Sequence, residues 1–117
     1  MVIELRQDRD LEQLLEISKS NPVLIFKHST QCTISSQAYD EFREFAESAG
    51  ELTWGLVHVI EHRAISDAIA ERLNVLHESP QVIVIKNGRA TWYASHWSIT
   101  IESVNEALRR DGQPAHQ

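Results

Sequence analysis

A chain of 117 residues with 17 acidic and 11 basic side chains, net −6 with histidine neutral, has the length of one domain. A hydrophobic fraction of 42% beside 24% charged residues is enough for a packed core and excludes a disordered or collagen-like chain. The acidic balance argues against nucleic-acid backbone binding, which needs clustered Lys and Arg, and apolar runs such as Val23-Leu24-Ile25-Phe26 fall far short of the roughly 20 residues of a membrane span.

Taken in chain order, Val2 to Leu5 reads as a short strand. Asp8 is the expected N-cap of a helix whose Leu11, Leu14, Leu15 and Ile17 share one face, and Asn21-Pro22 its expected stop. Val23 to Lys27 reads as a buried strand, apolar on both faces as central strands are. After a polar link, Ala38, Phe42, Phe45 and Ala49 recur at helical spacing up to Gly50. Trp54 to Ile60 is a further strand, and Ile65, Ile69 and Leu73 mark the next helix, with Ala64 and Ala68 alongside. Val82-Ile83-Val84-Ile85 and Thr91-Trp92-Tyr93-Ala94 flank Asn87-Gly88, the strongest two-residue hairpin signal. Ile101, Val104 and Leu108 carry a closing helix. One domain over residues 1–110, with a disordered tail over 111–117, is expected.

The order β-α-β-α-β-α-β-β-α calls for an α/β fold: a central mixed β-sheet flanked by helices on both faces, in the thioredoxin-like arrangement. The opening residues, Met1 to Asp8, lack the basic and then long apolar segments of a signal peptide, so a cytoplasmic protein is expected. Cys32 is the single cysteine, which excludes an internal disulfide and any four-thiolate zinc or iron–sulfur site.

Cys32 falls between the end of a central strand and the start of the long helix, where an α/β sheet places its ligands and where helix amides lack intrahelical partners. A thiolate there meets the positive end of the helix dipole, which lowers its pKa from about 8.5 into the 3.5–7.5 range and makes it a nucleophile. Lys27 and His28 add positive potential nearby, and the polar neighbours Ser29, Thr30, Gln31 and Thr33 do not suit an inert core cysteine. Ser35 stands one helical turn after Cys32, where a dithiol enzyme keeps its resolving thiol. Serine forms no disulfide, so catalysis would be monothiol; the hydroxyl also suits a helix cap. Within this topology the Ser79-Pro80 bond, just before the β-branched strand, is expected to be cis and to pack against the cysteine. His58 and His62 lack the spacing of a helical metal pair, and no metal site is expected. His77 and His96 lie in loops that can reach the cysteine edge, and Trp97 can wall a ligand groove.

The segments Lys27-His28-Ser29-Thr30-Gln31-Cys32-Thr33-Ile34-Ser35, Glu61-His62-Arg63, His77-Glu78-Ser79-Pro80-Gln81, Asn87-Gly88 and Ser95-His96-Trp97-Ser98-Ile99-Thr100, in this order and at these spacings, resemble the YtxJ-like monothiol bacilliredoxins of low-GC Gram-positive bacteria. The resemblance runs from about residue 2 to residue 110. It implies a thioredoxin fold and a thiol-disulfide oxidoreductase that removes bacillithiol from protein mixed disulfides, with Cys32 as the active-site cysteine and Ser79-Pro80 as the cis-proline element. It further implies S-bacillithiolated client proteins and a low-molecular-weight thiol as partners, with bacillithiol as co-substrate and no bound cofactor. Where the family motif often reads Thr-Cys-Pro-Ile-Ser, this chain has Gln31 before Cys32 and Thr33 in place of the proline. The malate carboxylates of bacillithiol call for cations or N–H donors, and Lys27, Arg63, His77 and His96 are candidates, with Trp97 beside them; Thr30, Thr33, Ser35, Ser79 and Pro80 complete the expected thiol-binding set. Two other readings stay open on the sequence: a non-enzymatic thioredoxin-like adaptor, and a single-cysteine redox sensor.

Overall fold

A computed structural model describes residues 1–29, 33–49 and 52–109. The expected tail and the helix stop at Gly50 lie outside the described residues. The elements are β1 (Val2–Glu4), α1 (Asp8–Ile17), β2 (Val23–His28), α2 (Thr33–Ala49), β3 (Thr53–His58), α3 (Arg63–Leu73), β4 (Gln81–Lys86), β5 (Arg89–Ser95), a 3-10 turn at His96–Ser98 and α4 (Ile101–Arg109). They form one five-stranded sheet in the order β1-β3-β2-β4-β5. β3 runs parallel to both β1 and β2, while β4 is antiparallel to β2 and β5.

β2 is the organising strand, buried along its whole length. Strand alternation sends Val23 and Ile25 to one face, where they meet Leu11 and Leu14 of α1 and Ile65 and Ile69 of α3. Leu24 and Phe26 go to the other, against Ala38 and Phe42 of α2 and Val104 of α4. Both faces are covered, as a central strand with apolar residues on each side requires. Of the helix positions read from sequence, Leu11, Leu14 and Leu15 in α1 and Ile65, Ile69 and Leu73 in α3 are buried, whereas Ile17 and Ala68 are half-buried and Ala64 and Ile101 are exposed. Asn87 (φ 53°) and Gly88 (φ 76°) both take left-handed backbone, as a type I′ hairpin turn requires.

Two expected helix ends are displaced. The N-cap of α1 is Gln7, in extended backbone, and Asp8 is already inside the first turn. The carboxylate that serves this terminus is that of Asp10, which accepts from the backbone N–H of Gln7 (3.1 Å) and Arg6 (3.0 Å). At the other end α1 stops before Asn21-Pro22, with Ser18 as C-cap. Ser18 is buried because its carbonyl accepts from Asn87 N–H and its hydroxyl from Gly88 N–H, both at 2.8 Å. The helix end and the hairpin tip are thereby one hydrogen-bonded unit.

Candidate active site

The register of β2 against β4 sets the site. Lys27 pairs with Gln81, so Pro80, one residue before β4, lies at the end of the sheet where β2 finishes at His28. α2 starts at Thr33 on the far side of that link. Cys32 and Thr30 lie outside the described residues; Thr33 and Ser35 belong to the first turn of α2. The Ser79-Pro80 peptide is cis and Pro80 is buried. The Ser79 hydroxyl is buried with no hydrogen-bond partner among the described residues.

The segment carrying Ser79 and Pro80 is held from two sides. On the β5 side, the His96 N–H donates to the Pro80 carbonyl at 3.1 Å, and the His96 ring nitrogen Nδ1 lies 3.4 Å from Glu78 Oε2. His96 reaches both with a left-handed backbone (φ 53°), rare for a residue with a side chain. Trp97 follows, 72% exposed, and with Trp92, Glu78 and Ser103 it borders an open cleft of about 620 Å3 along β5. Ser103 also closes a reciprocal cap on α4: its N–H donates to Thr100 Oγ1 (3.0 Å), and Thr100 N–H donates to Ser103 Oγ (3.1 Å).

On the α3 side the holding group is Lys27, expected from the sequence as a cation for the bound thiol. Lys27 is fully buried. It shares the strand parity of Val23 and Ile25, so its side chain enters the α1/α3 face, where Nζ donates to the Ser66 carbonyl (3.1 Å) and lies 3.2 Å from His77 Nδ1. Its expected role as a cation for the thiol's carboxylates is therefore corrected: with no exposed surface, it meets Ser66 and His77 among the described residues. Arg63, another candidate cation, is exposed and donates to Asp67 at 2.9 Å. The Ser66 hydroxyl, which sequence reading did not single out, lies 3.2 Å from the same His77 nitrogen. Gln81, also fully buried, donates from Nε2 to the Leu76 carbonyl at 2.9 Å.

Burial pushes the Lys27 ammonium down from its ordinary 10.5 to about 8, with nearby Asp67 opposing and Arg63 adding to the fall. The consequence for stability is a sign test. The unfolded chain holds this proton up to about pH 10.5, whereas the folded chain releases it near 8, so stability rises with pH across that window, by up to about 1.4 kcal/mol per unit, and Lys27 contributes no slope below it. Urea melts at pH 7.5 and 9.5 should show this gain in the native chain and lose it in Lys27→Met; equal slopes would place the ammonium in water.

A second aromatic cluster closes the other face at this end of the sheet. His28, buried, stacks on Tyr39 of α2 with centroids 4.5 Å apart and meets the Phe26 and His58 rings edge-on. Burial, and then the neighbouring His58, holds His28 below the usual imidazole value, so it supplies packing rather than charge at neutral pH. Among the described residues no three His, Cys, Asp or Glu side chains are grouped to hold a metal. No helix among them is long and apolar enough to cross a membrane.

Comparison with known proteins gives the fold and the family. The family model described as monothiol bacilliredoxin BrxC matches residues 3–104. A solved chain provisionally described as an oxidoreductase with a thioredoxin fold superposes with a TM-score of 0.82 at 35% identity, covering 91% of this chain and 92% of that one. The reduced thioredoxin pre-protein of Schistosoma mansoni gives 0.72 at 28% identity over 92% and 95% of the two chains. The Malassezia sympodialis thioredoxin gives 0.73 at 16% identity over 96% and 91%, a likeness of fold alone.

Proposed function

Because this chain belongs to the monothiol bacilliredoxin family, we propose that it is a thiol-disulfide oxidoreductase that strips bacillithiol from protein mixed disulfides through Cys32. The observation that supports the reading most is the register that sets the Ser79-Pro80 segment at the same sheet end as the junction of β2 and α2, to which Cys32 belongs by sequence. In the first step the Cys32 thiolate attacks the bacillithiol sulfur of the mixed disulfide. A sulfur–sulfur bond forms between Cys32 and bacillithiol, the bond to the client breaks, and the client leaves as a thiolate that takes a proton from water. A second bacillithiol, attacking as its thiolate, returns Cys32 to the thiol pool and departs as bacillithiol disulfide, so the electrons come from the small thiol.

Ser35 leaves Cys32 without a resolving thiol, which makes the capped enzyme the intermediate of the cycle. The first turn of α2, starting at Thr33, offers the amides that favour a thiolate. Thr30, Thr33 and Ser35 are the hydroxyl residues assigned by their place in the sequence to bind the thiol beside Cys32, together with Ser79 and Pro80. His96 and Trp97 supply a ring donor and an aromatic wall at the mouth of the β5 cleft, facing the malate and sugar of the bound thiol. The clients are S-bacillithiolated proteins of the cytoplasm.

The test is intact mass spectrometry of the chain after incubation with bacillithiol disulfide. A single adduct of one bacillithiol, lost on reduction and mapped to Cys32, is expected. An unmodified chain, as a non-enzymatic adaptor gives, or a Cys32–Cys32 dimer in place of the adduct, as a redox sensor gives, overturns the reading.

A further inference from the structure

The α1/α3 face of the sheet is lined with hydrocarbon, and apart from Ser18 its buried polar side chains among the described residues gather at one corner. There Lys27, Ser66 and Gln81, all fully buried, converge from β2, α3 and β4 on the loop that runs from Val75 to Pro80. Lys27 Nζ and Ser66 Oγ both lie 3.2 Å from His77 Nδ1, and Gln81 Nε2 donates to the Leu76 carbonyl one residue earlier. Among the described residues no carboxylate bonds the buried ammonium: Asp67 is engaged by Arg63 on the outer side of α3. A buried charge paired only with neutral groups is costly, and an apolar side chain at position 27 would fill the same face at no such cost, as Ile25 does. The arrangement has a chemical consequence. An ammonium carries three N–H groups and no acceptor, so the ring nitrogen facing it must offer a lone pair, and the imidazole proton is confined to Nε2.

We propose that Lys27 is a positioning residue that fixes His77 as its neutral Nε2–H tautomer and thereby sets the Val75 to Pro80 loop, so that Ser79 and Pro80 are presented to an extended disulfide substrate. The inference rests on the function proposed above for the same site. Among the described residues the Lys27 ammonium meets Ser66 and His77, and it acts through His77, two residues from Ser79. The other charged groups around the ring are Arg63 and Asp67 on α3 and Glu78 on the loop itself, and burial together with Lys27 and Arg63 keeps the imidazole below its usual value, as a neutral ring requires.

The test combines a spectroscopic and a kinetic reading of the full chain. Long-range 15N–1H spectra of His77 should show the proton on Nε2 at pH 7. In Lys27→Met the ring should populate Nδ1–H and titrate at a higher pH than in the native chain. In the same variant, exchange with a bacillithiolated peptide should slow by about tenfold, the lower end of what outer supporting residues cost elsewhere. Exchange with 2-hydroxyethyl disulfide, which has no peptide backbone to align, should stay within about twofold of the native rate by the same reasoning. A residue that merely supports the fold would slow both substrates alike and leave the tautomer unchanged, and that result overturns the proposal. Should Lys27→Met fail to fold, Ser66→Ala leaves the ammonium facing Nδ1 and must keep the proton on Nε2, and a proton on Nδ1 in that variant overturns the proposal. A native His77 carrying its proton on Nδ1 overturns the proposal with no variant at all. A native chain that takes no bacillithiol defeats the proposed function alone, since the tautomer and the 2-hydroxyethyl disulfide rate are still read.

Discussion

Replacing Cys32 with serine is expected to abolish release of bacillithiol from a capped client protein, a loss of at least about 10^3-fold, as removal of a covalent nucleophile gives. The size follows from there being one sulfur in reach of the chemistry. Cys32 is the chain's single cysteine, so no second thiol can take over either half of the cycle, and Ser35 cannot form a sulfur–sulfur bond. The substitution changes one atom and should leave the fold intact. A release assay by mass spectrometry of the client checks it, and residual turnover within about tenfold of the native rate would place the chemistry elsewhere.

The largest effect on stability is expected at Phe26. Its side chain is fully buried at the centre of β2, opposite Leu56 on β3 and Val82 on β4, and its ring lies 5.3 Å from Phe42 and 5.6 Å from Tyr39 of α2. Truncation removes the ring that joins sheet to helix and leaves a cavity between elements that cannot close on it, since β2 is clamped on both edges. Phe26→Ala should cost about 3–5 kcal/mol, a large part of the roughly 5–15 kcal/mol that holds a domain of this size together. Thermal melting should therefore drop by roughly 15 °C. A loss below about 1 kcal/mol would mean that α2 does not pack on this ring.

These two residues also mark what a sequence can disclose. The unbroken apolar run around Phe26, the four-residue spacings of the helices and the Asn87-Gly88 turn are local patterns, and each maps onto the element it announces. Cys32 stood out by its place between a strand and a helix. What stayed illegible depends on partners far along the chain. Ser18 ends α1 because it bonds Asn87 and Gly88 in the hairpin, roughly seventy positions on, whereas Pro22 looked like the stop. Asp8 looked like the cap because its residue type fits; Gln7 took the position because the Asp10 carboxylate reaches back to its N–H.

Lys27 is the instructive error. A lysine at the end of an apolar strand looks like a surface cation. The period of two, counted from Val23 and Ile25, already pointed its side chain into the α1/α3 face. Its partner His77 is fifty positions away, and nothing in either neighbourhood signals the pair. Ser66 was equally silent, a serine among the helix-forming residues of α3. The supporting layer of the site is thus written in tertiary contacts, while its reactive residue is written in the order of elements.

The proposed chemistry stands on the ionisation of one thiol, and the pH dependence of its alkylation measures that directly. Iodoacetamide should modify Cys32 in the native chain with a midpoint well below the ordinary cysteine value of about 8.5, and the midpoint should return toward 8.5 in urea, where α2 no longer exists. A native midpoint at or above that of the unfolded chain would contradict the account.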